Sequence, residues 1–221
     1  AFIACEDTRQ TKKLMSKFGI SNKLISFHQH NSINKIPFII NSLKEEKSVA
    51  LVSDAGMPSI CDPGENLIQK VRENNFDVIC IPGPCAALTA LVSSGFPSSS
   101  FIFLGFIPKK KKERDEILLE ISNFDKTTVI YESPRRLKKL LVELKIFCGG
   151  NREIQVFREL TKKYEEQIGI TIDAVINHFK DKSIIGEITI VINGVNKTKT
   201  SEINEFILKK DLTDLIDAGL T

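Results

Sequence analysis

The segment at residues 48–60, with the sequence SVALVSDAGMPSI, decides the fold class. Its first six residues form a short apolar run typical of a buried strand, and the Asp-Ala-Gly-Met-Pro sequence after it is typical of a turn. Similar apolar runs on both sides alternate with segments of helical periodicity, a pattern that indicates an α/β protein. We therefore expect ligand-binding loops to follow the carboxyl ends of the strands.

Extending this pattern outward predicts two α/β domains with a charged break between them. The N-terminal domain covers residues 1–107, the C-terminal domain covers 108–195, and a polar, partly helical tail covers 196–221. Thr8 and Asp62 are the expected caps of two N-terminal helices. The predicted strands lie at 2–5, 23–27, 48–53, 77–81, 101–106, 127–131, 153–157 and 187–192, and the predicted helices begin near 8, 33, 62, 85, 134 and 172.

Composition excludes several classes of protein. The 221 residues carry a net charge of +3, with 42% hydrophobic and 27% charged residues, which permits a sizeable core and argues against a uniformly basic coat. Five cysteines without a C-x-x-C pair and three histidines without metal-ligand spacing argue against disulfides and zinc, and favour a reducing, cytoplasmic location. Residues 78–108 lack charge, but three prolines interrupt them, so no membrane span is expected.

Three loops could carry chemistry. They are Asp54–Ile60, Pro82–Ala87 and the pair Glu132-Ser133, each placed directly after a predicted strand. None has the G-x-G-x-x-G or Walker pattern, so neither a dinucleotide nor a nucleoside triphosphate is indicated. Each loop taken alone is also consistent with a plain turn between strand and helix. Together they predict a cleft that holds a small molecule mainly through backbone groups.

Eight strings in a fixed order make the chain recognisable. It resembles the tetrapyrrole methylase superfamily and, within it, the bacterial methyltransferases of small-subunit ribosomal RNA. The resemblance runs from about Ile3 to Ile192. It rests on CEDTRQT (5–11), HQHN (28–31), LVSDAGMPSICDPG (51–64), PGPCAALTAL (82–91), GFIP (105–108), YESPRRL (131–137), RELTKKYEE (158–166) and GEITIVI (186–192).

The resemblance implies a homodimeric enzyme of two α/β domains with S-adenosylmethionine in the cleft between them. The implied reaction is methylation of a cytidine ribose 2′-hydroxyl in the decoding region of 16S rRNA, without a metal or a membrane. By position in the matching strings, the implied cofactor-binding residues are Ser53, Asp54, Ala55, Gly56, Ser59, Ile60, Pro82, Gly83, Cys85, Ala86, Ala87, Tyr131, Glu132, Leu160, Gly186 and Glu187.

This sequence departs from the family pattern in two places. The family begins with a strand and a T-P-I-G-N loop, which would lie before Ala1, and we expect a fragment on that account. Met57 stands where threonine is usual. A thioether cannot replace a hydroxyl hydrogen bond but packs well, so we expect a local adjustment there. The tail after Asn196 matches the family poorly.

Methyl transfer from a sulfonium to an alcohol needs an in-line arrangement and benefits from a base near the hydroxyl. Candidate catalytic residues are Glu6, Asp7 and His30, with His28 a further histidine of a type suited to this role. These residues could equally be helix-terminal charges and an exposed polar edge. The candidate RNA-binding residues are Arg9, Asn31, Lys109, Lys110, Lys111, Lys112, Arg135 and Arg136. The lysine run among them could equally be a solvated linker.

Two other functions remain open at this point. A methylase acting on a tetrapyrrole or another small molecule would share the cofactor cleft but need an apolar substrate mouth. A non-catalytic RNA-binding module would keep the basic residues without binding the cofactor. The lysine run and the HQHN and YESPRRL strings disfavour the first, and cofactor titration would test the second.

Overall fold

The computed structural model describes residues 1–195 and residue 213, so most of the predicted polar tail lies outside the described residues. The chain forms two compact units, Ala1–Cys85 and the part from Ala86 onward. The predicted boundary lay later, after residue 107. The structure places the strand at residues 101–106 in the sheet of the second unit, because it hydrogen-bonds to the strand that begins at Thr127.

The first unit contains a three-stranded parallel sheet in the order β2-β1-β3. Its core is small, and among the described residues it consists of Phe2, Ala4, Phe27, Ile39, Ile40, Leu67 and Val71. The elements in chain order are β1 (Phe2–Cys5), α1 (Thr8–Lys17), β2 (Leu24–Ser26), α2 (Ser32–Lys44), β3 (Val49–Val52) and α3 (Glu65–Glu73).

Four expectations for this unit were wrong in detail. Residues 77–81 do not form a strand, and the Ile79 and Ile81 side chains are 82% and 77% exposed. The run forms no ladder with either edge strand of the described sheet, β2 or β3, and a strand requires hydrogen bonds to a neighbour. For the same reason β3 is an edge strand that is only partly buried.

The helix caps also differ from the sequence prediction. Asp7, and not Thr8, caps α1 by accepting a hydrogen bond from the Arg9 backbone N–H. Helix α3 begins at Glu65, and the residue at its N-cap position is Gly64 and not Asp62. A side chain at position 64 would collide with the Ser59 hydroxyl, because an added Cβ would lie 2.0 Å from Ser59 Oγ.

The second unit contains a five-stranded sheet in the order β4-β5-β8-β6-β7. Strands β4 and β5 are parallel, and the other neighbouring pairs are antiparallel. The elements are α4 (Ala86–Ser94), β4 (Phe101–Phe106), α5 (Lys111–Asn123), β5 (Thr127–Glu132), α6 (Pro134–Cys148), β6 (Glu153–Arg158), β7 (Glu166–Thr171), α7 (Ile172–Phe179) and β8 (Ile188–Ile192).

Periodic apolar residues build the core of the second unit. Leu137, Leu140, Leu141 and Leu144 recur at the spacing of one helical face on α6, and all four are at most 1% exposed. The charged break at residues 109–114 turns out to overlap the start of α5, and Arg114 is buried at 4% exposure. Strand β7 was not predicted. None of the helices in the described residues is long and apolar enough to span a membrane.

Candidate functional site

The carboxyl ends of the three parallel strands bring three predicted site segments to one edge of the first unit. Cys5, at the end of β1, is in register with Ser26 of β2 and with Val52 of β3. The residues that follow these ends are Glu6, Phe27 and Ser53, so the CED, HQHN and SDAG strings begin at the same edge of the sheet. This is the position at which ligands bind in open α/β sheets.

Two reciprocal hydrogen bonds join the loop after β1 to the loop after β3. The Asp7 backbone N–H donates to Asp54 Oδ1 at 3.1 Å, and the Asp54 backbone N–H donates to Glu6 Oε2 at 3.3 Å. Each loop therefore holds the other through a backbone donor and a carboxylate acceptor. These contacts fix predicted catalytic residues beside a predicted cofactor residue.

Asp7 is engaged with Arg9 as well as with the helix. Its carboxylate accepts from the Arg9 backbone N–H at 2.8 Å and from Arg9 Nη2 at 2.6 Å. The hydrogen bonds from Arg9 lower the pKa of Asp7 to about 2. At neutral pH the group is thus an anion with little tendency to take up a proton, which suits orienting Arg9 better than acting as a base.

The HQHN segment forms a tight turn after β2. Asn31 Oδ1 accepts from the His28 backbone N–H at 2.9 Å, and Asn31 Nδ2 donates to the Ser26 carbonyl at 3.2 Å. Asn31, predicted to bind RNA, therefore supports the turn with both ends of its amide. His30 is exposed, and its ring centroid lies 6.0 Å from that of His28.

The two bends of the first unit that contain glycine and proline, at residues 54–60 and 81–84, lie next to each other. Gly56 has a φ of 76°, and a Cβ added there would lie 3.7 Å from the Pro84 carbonyl oxygen. Asp54, Ala55 and Gly56 are exposed, and so are residues 81–84. The backbone of both bends is therefore accessible, as an adenosyl group held by backbone hydrogen bonds would require.

In the second unit, Tyr131 connects β5 to the start of α4. Its hydroxyl accepts a hydrogen bond from the Ala87 backbone N–H at 3.1 Å. The Tyr131 ring makes edge contacts with Phe103 and Phe106, at centroid distances of 5.0 and 5.6 Å. Two predicted cofactor positions, Tyr131 and Ala87, are thus in direct contact, and the aromatic neighbours restrict the tyrosine ring.

Glu132 is the centre of a buried ion-pair network. It is 1% exposed, its Oε1 lies 2.5 Å from Arg136 Nη2, and its Oε2 lies 3.8 Å from Arg114 Nη1. Arg114 in turn pairs with Glu143, with 2.6 Å between Arg114 Nη2 and Glu143 Oε2. Glu132 and Arg136 were predicted to bind cofactor and RNA, respectively, and the structure engages both in this network. No sequence pattern pointed to Arg114 and Glu143, because 29 residues separate them.

Glu159 supports the predicted cofactor positions Gly186 and Glu187. Its Oε1 accepts from Lys162 Nζ at 2.9 Å and from the Glu187 backbone N–H at 2.8 Å, and these two bonds lower its pKa. Gly186 has a φ of 96°, and a Cβ there would lie 2.5 Å from Glu159 Cγ, so a side chain would displace the carboxylate. Leu160, half-buried, follows Glu159 at the end of β6.

The predicted RNA-binding lysines lie on the surface of the second unit. Lys109, Lys110, Lys111 and Lys112 are exposed, and Arg135 is exposed at the start of α6. Lys110 pairs with Glu113 at 3.0 Å, an exposed contact of small energetic value. These residues remain accessible to an anionic partner, unlike Arg136.

A comparison with models of known protein families matches most of the chain to one family. The profile of Tetrapyrrole (Corrin/Porphyrin) Methylases matches residues 1–175. The chain belongs to the tetrapyrrole methylase family. This membership confirms the resemblance inferred from the eight sequence strings and the expected fold class.

Curated relatives with high sequence identity share one name. The chain is 44% identical over 192 residues to "Ribosomal RNA small subunit methyltransferase I" of Halalkalibacterium halodurans, covering 87% of this chain and 66% of that protein. The Synechocystis protein of the same name is 38% identical over 219 residues, covering 99% of this chain and 78% of the relative. The chain thus spans about two thirds to four fifths of the length of these two relatives.

Solved structures with low sequence identity share the fold. The methyltransferase CobJ matches with a TM-score of 0.60 and 14% identity, over 88% of this chain and 95% of that one. Cobalt precorrin-4 methyltransferase matches with a TM-score of 0.62 and 14% identity, over 87% and 83%. At this identity the matches establish the tetrapyrrole methylase fold alone.

Proposed function

We propose that the chain belongs to a cytoplasmic, homodimeric S-adenosylmethionine-dependent methyltransferase that modifies a cytidine ribose 2′-hydroxyl in the decoding region of 16S rRNA. The observation that carries this proposal is the pair of hydrogen bonds between Asp54 and the segment Glu6-Asp7. They join the loop that the resemblance assigns to the cofactor with the strand end that we assign to the substrate. The names of the curated relatives support the same reaction class.

The residues of the first unit fit an adenosylmethionine ligand. The exposed backbone at Asp54–Gly56 and at residues 81–84 offers donors and acceptors, and Ala55, Gly56 and Gly83 carry little or no side chain beside them. In the second unit, Tyr131 fixes the Ala87 backbone and Glu159 fixes the Glu187 backbone. When bound, the cofactor would supply an electrophilic methyl group on a sulfonium.

The side chains near the carboxyl ends of the parallel strands differ in the role each can play in methyl transfer. Glu6 Oε2 accepts from the Asp54 backbone N–H, which orients this carboxylate toward the loop after β3. Asp7 is held as an anion by Arg9, so its carboxylate is poorly suited to take up a proton. His30 is exposed, and imidazole is the side chain best suited to proton transfer near neutral pH, so its ring nitrogen would accept the 2′-hydroxyl proton. Arg9, oriented by Asp7, would hold a neighbouring phosphate.

Transfer of tritiated methyl groups to small-subunit particles from cells that lack the enzyme tests this assignment. We expect His30→Ala to slow transfer by about 10²–10⁴-fold, the range for loss of a general base. Gln29→Ala, at the adjacent position, should stay near the unaltered rate. A normal rate for His30→Ala would remove the histidine from the mechanism, and absence of label in any ribose would refute the reaction itself.

Cofactor binding distinguishes this proposal from a non-catalytic RNA-binding module. Calorimetric titration with S-adenosylmethionine should give saturable binding, and methyl transfer to the particle should follow. RNA binding without cofactor binding would favour the module.

The lysines at residues 109–112 are proposed to contact rRNA phosphates. Replacing Lys109, Lys110, Lys111 and Lys112 with glutamine should weaken particle binding and flatten its dependence on salt concentration. The log–log slope should fall by about 0.7–0.9 for each phosphate that the variant no longer neutralises. An unchanged slope would show that this run is only a solvated surface.

A further inference from the structure

A groove of about 610 Å³ lies in the first unit, between α1 and the segment that leads into β2. Arg9 and Lys12 line it from the α1 side, and Ile20, Asn22 and Leu24 line it from the other. No sequence pattern points to this groove, and of its lining residues only Arg9 takes part in the mechanism proposed above.

The lining combines positive charge with an apolar floor. Lys12 and Arg9 are exposed cations, whereas Met15 is buried at 8% exposure and offers an apolar surface. Asn22 Oδ1 accepts from the Lys23 backbone N–H at 2.8 Å, which fixes an amide at the rim. None of the described residues that line the groove is acidic. This combination suits a nucleotide, whose phosphate needs cations and whose base needs an apolar face and hydrogen-bonding edges.

Arg9 belongs both to the lining of the groove and to the proposed substrate edge. Arg9, which lines the groove, pairs with Asp7, and the Asp7 backbone N–H donates to Asp54 in the proposed cofactor loop. A single-stranded RNA whose ribose reaches this edge would therefore place an adjoining nucleotide beside α1. The chain offers cations and an apolar floor at that position.

We propose that the groove binds an unpaired nucleotide of the substrate RNA next to the methylated ribose. Lys12 and Arg9 contact its phosphate, Met15 and Leu24 contact its base, and Asn22 contacts a base edge. This inference rests on the proposed function in one respect, namely that the substrate is RNA. It adds a substrate position and assigns Lys12, Met15 and Asn22 to it.

Filter binding of deproteinised small-subunit rRNA to the chain tests the groove directly. We expect Lys12→Ala to weaken binding about 5–10-fold and to lower the salt slope by about one unit, as removal of one cation from a phosphate does. Lys13→Ala is the matched control, because Lys13 is an exposed cation on the same helix that does not line the groove. It should change affinity less than twofold, and neither variant should alter S-adenosylmethionine binding.

Cross-linking provides a second measurement that does not depend on the variants. RNA carrying 4-thiouridine should cross-link to a peptide within residues 9–24, and Lys12→Ala should reduce the yield. Equal effects of Lys12→Ala and Lys13→Ala, or cross-links that map elsewhere, would overturn the groove. If Lys12→Ala selectively weakens RNA binding but the unaltered chain transfers no methyl group to RNA, the groove would be supported and the proposed reaction overturned. If the chain binds no RNA at all, both proposals would be overturned.

Discussion

The two sheets of this chain divide stability and chemistry unequally. Among the described residues, eighteen buried apolar side chains form the core beside the five-stranded sheet, and seven form the core beside the three-stranded one. Strand β8 is buried at all five positions because it lies between β5 and β6, whereas β3 is an edge strand that is partly exposed. The smaller sheet nevertheless carries the candidate base, the Asp7–Arg9 pair and the groove.

The buried charges sharpen this contrast. In the first unit the candidate polar residues stand at an exposed sheet edge, where they can meet a substrate. In the second unit Glu132 and Arg114 are almost fully buried. Glu132 pairs with Arg136 and Arg114, and Arg114 also pairs with Glu143. A polar residue after a strand is therefore exposed at a candidate site in one unit and buried in an ion-pair network in the other.

The largest expected effect follows from removing Glu132. Glu132→Ala would leave the buried Arg114 and the adjacent Arg136 without this carboxylate, and breaking a buried ion pair costs about 3–5 kcal/mol. Urea unfolding would measure the loss. Glu113→Ala, which breaks only the exposed pair with Lys110, should change stability by less than about 1 kcal/mol. Equal losses for the two variants would contradict a structural role for the network.

A core substitution on α6 tests whether the apolar cluster stabilises the second unit as its burial suggests. Leu140 is 0% exposed, so Leu140→Ala should lower the free energy of unfolding by about 2–5 kcal/mol, through lost burial and the remaining cavity. Val142→Ala is the control, because Val142 lies on the same helix and is 50% exposed. It should change the free energy of unfolding by no more than about 0.5 kcal/mol. A small effect of Leu140→Ala would indicate that this core repacks easily.

Most of the fold was predictable from the sequence where apolar periodicity was strong. The leucines of α6 and the apolar runs of β1, β3 and β5 indicated the correct elements, because burial of one face determines both pattern and structure. The run at residues 77–81 misled, because an apolar run does not reveal whether the segment will pair with a neighbouring strand. Strand β7 was missed, since the edge segment EQIGIT mixes polar residues and glycine with its isoleucines.

The candidate site was predictable to the extent that it follows strand ends. The loops after β1, β2 and β3 meet at one sheet edge because their strands are parallel and in register. What could not be predicted is how each polar group is used. The Asn31 amide supports a turn, Arg136 pairs with Glu132, and the groove beside α1 depends on the path from Ile20 to Leu24.

The pH dependence of stability offers a smaller effect within the second unit. Burial raises the pKa of Cys148 to about 11 from its ordinary 9.0. The folded state therefore binds this proton more tightly than the unfolded state, so its contribution is complete below pH 9 and is lost as the pH rises toward 11. Between about pH 8 and about pH 10.5 the loss should approach about 2 kcal/mol. Cys148→Ala should remove that part of the decline in urea unfolding, and an unaltered decline would contradict it.

The smallest expected effect concerns the contact that links the stable sheet to a proposed cofactor loop. Tyr131→Phe keeps the ring in contact with Phe103 and Phe106 but removes the hydroxyl that accepts a hydrogen bond from the Ala87 backbone N–H. Ala87 is buried, at 3% exposure. A hydrogen bond of this kind contributes about 0.5–1.5 kcal/mol, so S-adenosylmethionine affinity should fall by a few-fold, about tenfold at most. Calorimetric titration would measure it, with Phe106→Leu as a control that keeps the hydroxyl. A loss of affinity with Phe106→Leu as large as with Tyr131→Phe would show that ring packing, and not the hydrogen bond, positions the start of α4.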